Sequence, residues 1–157
     1  MIFADQKFMK AAIEEAIKSR ENGDYAIGAV IVLNGEILVR STNRSKIEKD
    51  ATQHSEVVAI RKASQKLNSR YLENCILYTT HEPCPMCAAA AFWAKLAGIV
   101  FGAKMEDMAD YSIKNGSEEY KWRTIHISAK EILDKGNPKI EIIGEFMRDE
   151  CKNLFHS

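Results

Sequence analysis

Three side chains restrict this chain more than any composition figure does: His54, then Cys84 thirty positions later, then Cys87. One imidazole and two thiols are the borderline-to-soft donors that hold zinc in a tetrahedron. They can share an ion only if the fold closes the His54 segment onto the Cys84-x-x-Cys87 segment. Three protein ligands leave a fourth position for water, which separates a catalytic site from a structural one. Glu56 stands two residues after His54 and is placed to handle that water's protons. Cys-x-x-Cys alone fits a zinc knuckle or a redox pair, and a lone His is more often a core or surface residue. The joint occurrence of His54, Glu56, Cys84 and Cys87, with Pro83 and Pro85 flanking Cys84, is what favours a catalytic zinc centre.

The local patterns supply elements on which to hang these groups. Asp5 caps a helix with apolar Phe8, Met9, Ala12, Ile13, Ala16 and Ile17 at helical spacing, ended by Asn22-Gly23. Ala26 to Leu33 and Glu36 to Arg40 read as strands joined by the hairpin dipeptide Asn34-Gly35. A helix from about His54 to Lys66, a buried strand from Cys75 to Thr80, and a second helix opened by Pro83 and running to about Ala94 follow. On that helix Cys84 and Cys87 share a face at i, i+3. His54 and Glu56 flank one site only if their helix begins at His54, because i and i+2 otherwise diverge. Ile99 to Gly102 is a fourth strand, and Met105 to Thr124 a loop with some helix. Ser128 caps a short helix through Leu133. Lys139 to Ile143 is a fifth strand, and Phe146 to Phe155 a last helix. The alternation predicts one layered α/β domain with part of its sheet parallel.

Lys plus Arg equals Asp plus Glu, 22 against 22, so no overall positive field draws the chain to nucleic acid. Asp5, Lys7 and Lys10 break any leader-like apolar run, and no stretch is long and apolar enough to span a bilayer. With Cys84 and Cys87 assigned to metal, Cys75 and Cys151 read as free thiols, which predicts a cytoplasmic protein without membrane contact.

His-x-Glu … Pro-Cys-x-x-Cys is the signature of zinc-dependent base deaminases. The chain resembles the cytidine/deoxycytidylate deaminase superfamily, in its purine-type branch of guanine deaminases and tRNA adenosine deaminases. The resemblance covers the first helix to about Phe101 and resumes from Lys139 to Phe155. It implies a three-layer α/β/α domain over a central five-stranded mixed sheet. It also implies one zinc per chain on His54, Cys84 and Cys87, with Glu56 as proton shuttle. Asn43 becomes a base-contacting residue, although a lone Asn after a strand is otherwise a turn residue. Glu82 lines the pocket, homodimers form, and the partner chain completes the pockets. Trp93 and Phe155 are the aromatic candidates for stacking on the base.

The run Pro83-Cys84-Pro85-Met86-Cys87, with Phe92-Trp93-Ala94 and Ile60-Arg61-Lys62-Ala63, is similar to guanine deaminases; Asp149-Glu150-Cys151 is more like the tRNA enzymes. Lys104 to Gly136 matches neither. It lacks the Gly-Ala-rich segment of the tRNA enzymes and the Gly-Phe-Asp-Asp stretch with which guanine deaminases hold the amino group. Asp110, Glu118 or Glu119 are the acidic substitutes. Lys121, Trp122 and Arg123 form the one compact basic-aromatic group, and the other histidines, His81, His126 and His156, show no paired spacing. The expectation is hydrolytic deamination of a small nucleobase or nucleoside, guanine first. Deamination of adenosine in tRNA, deamination of cytosine, and a noncatalytic zinc module are the alternatives.

Overall fold

A computed structural model describes residues 1–115 and 123–156, the side chain of His156 excepted. Its centre is a five-stranded sheet of β1 (Gly28–Leu33), β2 (Glu36–Thr42), β3 (Cys75–His81), β4 (Gly98–Ala103) and β5 (Glu141–Ile143), in the order β2-β1-β3-β4-β5. β2, β1 and β3 pair antiparallel, whereas β3, β4 and β5 run parallel. The hairpin dipeptide does what its residue types allow: Asn34 and Gly35 both take positive φ, 52° and 78°, as a tight two-residue turn requires.

Strand alternation sorts the core into two faces. Ala29, Ile31, Leu77 and Ile99 point to one side, where α2 (Ser55–Leu67), α3 (Pro85–Trp93) and α5 (Ala129–Asp134) cover them with Ala59, Ala63, Ala88, Ala91 and Leu133. Val30, Val32, Tyr78 and Val100 point to the other, against Phe8, Met9 and Ala12 of α1 (Gln6–Glu21) and Cys151 of α6 (Arg148–Lys152). The three layers and the mixed five-stranded sheet are those the resemblance implies. Small residues set the spacing. A Cβ on Gly28 would lie 2.2 Å from the Ala12 carbonyl oxygen, so α1 crosses β1 where only glycine fits.

Two helices start two residues later than the sequence reading has them. α3 starts at Pro85 and not Pro83, with Cys84 as its N-cap; Pro85 takes the first helical position, where its missing N–H costs nothing. The helical part expected within Met105 to Thr124 is α4 (Met105–Asn115). The last helix is only Arg148–Lys152, continued as a 3-10 turn over Asn153–His156, because Glu145 and Met147 hold left-handed φ and delay its start. Among the described residues no helix is long and apolar enough to cross a membrane.

Candidate active site and metal centre

α2 and α3 bring their N-termini together beside the C-terminal end of β3. His54 is the N-cap of α2 and Cys84 the N-cap of α3, and neither uses its side chain to cap its helix. That leaves imidazole and thiol free to turn into the gap between the two helices. Cys87, one turn into α3, faces the same gap. His54 Nδ1 lies 3.5 Å from each sulfur, and the sulfurs are 3.7 Å apart. An ion about 2.3 Å from sulfur and about 2.0–2.1 Å from nitrogen in a tetrahedron requires sulfur–sulfur and sulfur–nitrogen edges of about 3.8 and 3.6 Å. The three donor atoms therefore stand on three corners of a zinc tetrahedron, and His54, Cys84 and Cys87 can hold one zinc ion.

The protein already favours the ligating form of Cys84. The Cys87 thiol hydrogen bond, then His54, pull the Cys84 thiol down to about 4 against burial. The same contact with Cys84, followed by burial and the Glu56 charge, pushes Cys87 up, so a dication is what removes the last proton. His54 is raised, chiefly through Cys84.

Glu56 sits in the first turn of α2, buried, with Oε2 3.7 Å from Cys87 Sγ. Ser55 Oγ donates to Oε2 and Thr79 Oγ1 to Oε1, both at 3.2 Å. Burial pushes its carboxyl up, and nearby His54 opposes the shift. A bound zinc would add to that opposition. The helix begins where His54 and Glu56 need it to, with His54 extended (φ −68°, ψ 150°) and outside the helical turn.

A cavity of about 770 Å³ opens onto this group, with Asn43 and Glu82 in its wall and Lys46, Lys49 and Arg123 among the flanking cations. Asn43 Oδ1 accepts the Ser55 N–H (3.2 Å), while Nδ2 donates to Asp24 and Ser45. Glu82 is a brace: its two carboxylate oxygens accept the Met105 and Ala129 backbone N–H groups, each at 3.0 Å, tying the starts of α4 and α5 together.

The two aromatic candidates fall elsewhere. Trp93 is six residues beyond Cys87, and at 100° per residue that turns it away from the ligands; it is 73% exposed and outside the cavity wall of its own chain. Phe155 lies one layer behind the wall, its ring edge-on to His81 with centroids 4.5 Å apart. Asp110 lies in α4 and does not line the cavity. Glu118, Glu119, Lys121 and Trp122 lie outside the described residues. His81, read from the sequence as an ordinary histidine near the metal loop, stands in the cavity wall. Burial pushes its pKa down to about 3, so it is neutral. Nδ1 meets Thr80 Oγ1 at 2.7 Å, and Nε2 is a buried side-chain atom without a partner among the described residues. Its place at the strand end, directly before Glu82-Pro83-Cys84, was the available signal.

The same arrangement is encoded across residues 3–103, which match the family model for the cytidine and deoxycytidylate deaminase zinc-binding region. The chain belongs to this deaminase family. Over 99 residues it is 44% identical to the tRNA-specific adenosine deaminase of Bacillus subtilis, a match spanning 63% of this chain and 62% of that relative. Guanine deaminase of the same organism is 39% identical over 108 residues, spanning 67% of this chain and 68% of that one. The solved structure of a tRNA:A34 deaminase, which edits A to I at the wobble position of transfer RNA, superposes with a TM-score of 0.78 at 29% identity. It covers 96% of this chain and 99% of that one. These relatives are deaminases from both halves of the purine-type branch, and the family's zinc matches the donor set found here.

Proposed function

We propose that this chain is a zinc-dependent aminohydrolase that replaces an exocyclic amine of a free purine base, guanine first, by a carbonyl oxygen. The observation that carries the chemistry is the three-cornered tetrahedron of His54, Cys84 and Cys87 with the buried Glu56 carboxylate 3.7 Å from Cys87 Sγ. When bound, zinc supplies Lewis-acid activation of water at neutral pH.

Glu56 takes the proton that this water loses and delivers it to the ring nitrogen beside the amine-bearing carbon. The water oxygen bonds to that carbon, which becomes tetrahedral. Glu56 next moves the proton of the new hydroxyl to the amine, the carbon–nitrogen bond breaks as the carbonyl forms, and ammonia leaves. Its burial raises its affinity for a proton toward the range in which one group both accepts and donates. Asn43 holds the base in register, and Glu82 keeps the α4 and α5 walls in place around it.

The free-base reading rests on the Pro-Cys-Pro-Met-Cys run, the relation to guanine deaminase, and the balanced charge. A second reading, adenosine in tRNA, is favoured by the 44% identity to the tRNA enzyme and by Lys46, Lys49 and Arg123 around the cavity, where phosphates would lie. Met86, Ala89, Ala90 and Trp93 form one partly exposed apolar stripe along α3, on which we place a homodimer contact. The described cysteines are all free thiols, in keeping with a cytoplasmic protein. Paired assays decide the substrate: ammonia release from guanine and other free bases and nucleosides, against inosine formation in an anticodon stem-loop. Turnover of a free base supports the first reading; inosine in the RNA with no turnover of any base or nucleoside replaces it with the second.

A further inference from the structure

Asp24 lies in the turn between α1 and β1, outside every motif that marks the zinc centre, yet its carboxylate is buried and fully engaged. Oδ1 accepts the Asn43 side-chain amide and the Tyr25 backbone N–H, both at 2.8 Å. Oδ2 accepts the backbone N–H groups of Lys46 and Ile47, at 3.0 and 3.1 Å. One buried anion thus holds both the amide of Asn43 and the segment that carries Lys46 and Lys49 along the cavity.

The amide itself is fixed at three points. Oδ1 of Asn43 must face the Ser55 N–H and Nδ2 must face Asp24, so a flipped amide would set donor against donor and acceptor against acceptor. One Nδ2 hydrogen is committed to the buried carboxylate. The other goes to the Ser45 hydroxyl at 3.0 Å, a half-buried group in the cavity wall. Only this second hydrogen can be handed to an incoming acceptor, with the Ser45 hydroxyl turning aside.

We propose that Asp24 is a positioning residue for substrate binding: it commits one amide hydrogen of Asn43, leaves the other for an acceptor atom of the heterocycle, and fixes the cavity rim to the same anchor. The proposal rests on the deaminase reading for its substrate and on the geometry alone for the state of the amide. Asp24→Asn removes the charge and places an amide donor opposite existing donors, so Asn43 and the rim lose their common reference. Misplaced base binding acts first on KM.

The test pairs two measurements on the full chain loaded with zinc. Asp24→Asn should raise KM for the base that the wild type turns over by about tenfold or more, with kcat within about threefold and one zinc per chain retained. An unchanged KM in the zinc-loaded variant overturns the proposal. If that variant does not fold, NMR of the wild-type Asn43 amide decides. Both Nδ2 hydrogens are bonded, and the one on the Asp24 carboxylate should exchange with solvent more slowly than the one on the Ser45 hydroxyl. Equal exchange of the two overturns the proposal. A wild type that deaminates neither free bases nor the stem-loop removes the deaminase reading, and the amide measurement then judges the hold of Asp24 on Asn43 by itself.

Discussion

Thr79 Oγ1 stands 3.2 Å from the Glu56 carboxylate and 3.2 Å from the His81 carbonyl oxygen, and it has one hydrogen to give. When Glu56 is ionised the hydroxyl donates to it. When Glu56 carries a proton, the same oxygen accepts and turns its hydrogen to His81. The pair therefore serves both states of a proton carrier without leaving a buried group unpaired. Thr79→Val should cut kcat by about 10–100-fold, the worth of one hydrogen bond to a charged group. Zinc content should stay at one per chain, and Thr79→Ser should recover most of the rate. A valine variant with wild-type kcat would show the contact to be idle.

Glu56→Gln keeps the shape of the first turn of α2 and removes only the proton traffic. Turnover should fall by about 10²–10⁴-fold, with zinc retained and the fold intact. Elemental analysis run beside the rate assay separates the roles. Loss of zinc together with rate would make Glu56 a ligand.

The His54, Cys84 and Cys87 donor set was legible because coordination chemistry limits both residue type and spacing. The hairpin at Asn34-Gly35 and the alternation in β1, β3 and β4 were legible for the same local reason. The contacts that hold the cavity wall were not. Asp24 is joined to Asn43 and Lys46 by contacts across 19 and 22 positions, which no window of sequence displays. Trp93 looked like a stacking residue from its neighbours, but its six-residue offset from Cys87 on α3 turns it away from the ligands. Glu82 stands in the cavity wall, and its two backbone partners appear only once α4 and α5 are folded against it.

Gly28→Ala puts a methyl group against the Ala12 carbonyl oxygen at 2.2 Å and the Ala16 nitrogen at 2.3 Å, both backbone atoms of α1 that cannot step aside. The expected loss is about 3 kcal/mol, typical of overpacking that must move backbone. Urea unfolding of wild type and variant measures it. A midpoint within error of wild type would mean that α1 and β1 are not apposed as described.

Asp107 and Arg148 tie α4 to α6 through two charge-assisted bonds of 2.8 and 2.9 Å. Arg148 holds the Asp107 carboxyl below its ordinary value of 3.8. Because the folded value lies below the unfolded one, the contribution is complete above the unfolded value and is lost as pH falls through the folded one. The stability difference between wild type and Arg148→Met should therefore be greatest from about pH 5 to 7 and shrink toward about pH 3. Urea midpoints at fixed pH values test this, and a difference that grows on acidification would have the wrong sign.

Zinc-dependent deamination at His54, Cys84, Cys87 and Glu56 is the proposal on which the others depend. The direct measurement is ammonia release from a panel of free bases, guanine included, by protein of known metal content. One zinc per chain is predicted, with turnover abolished by chelation and restored by zinc. Protein that binds no stoichiometric zinc, or that releases ammonia at the same rate after the metal is removed, would contradict it.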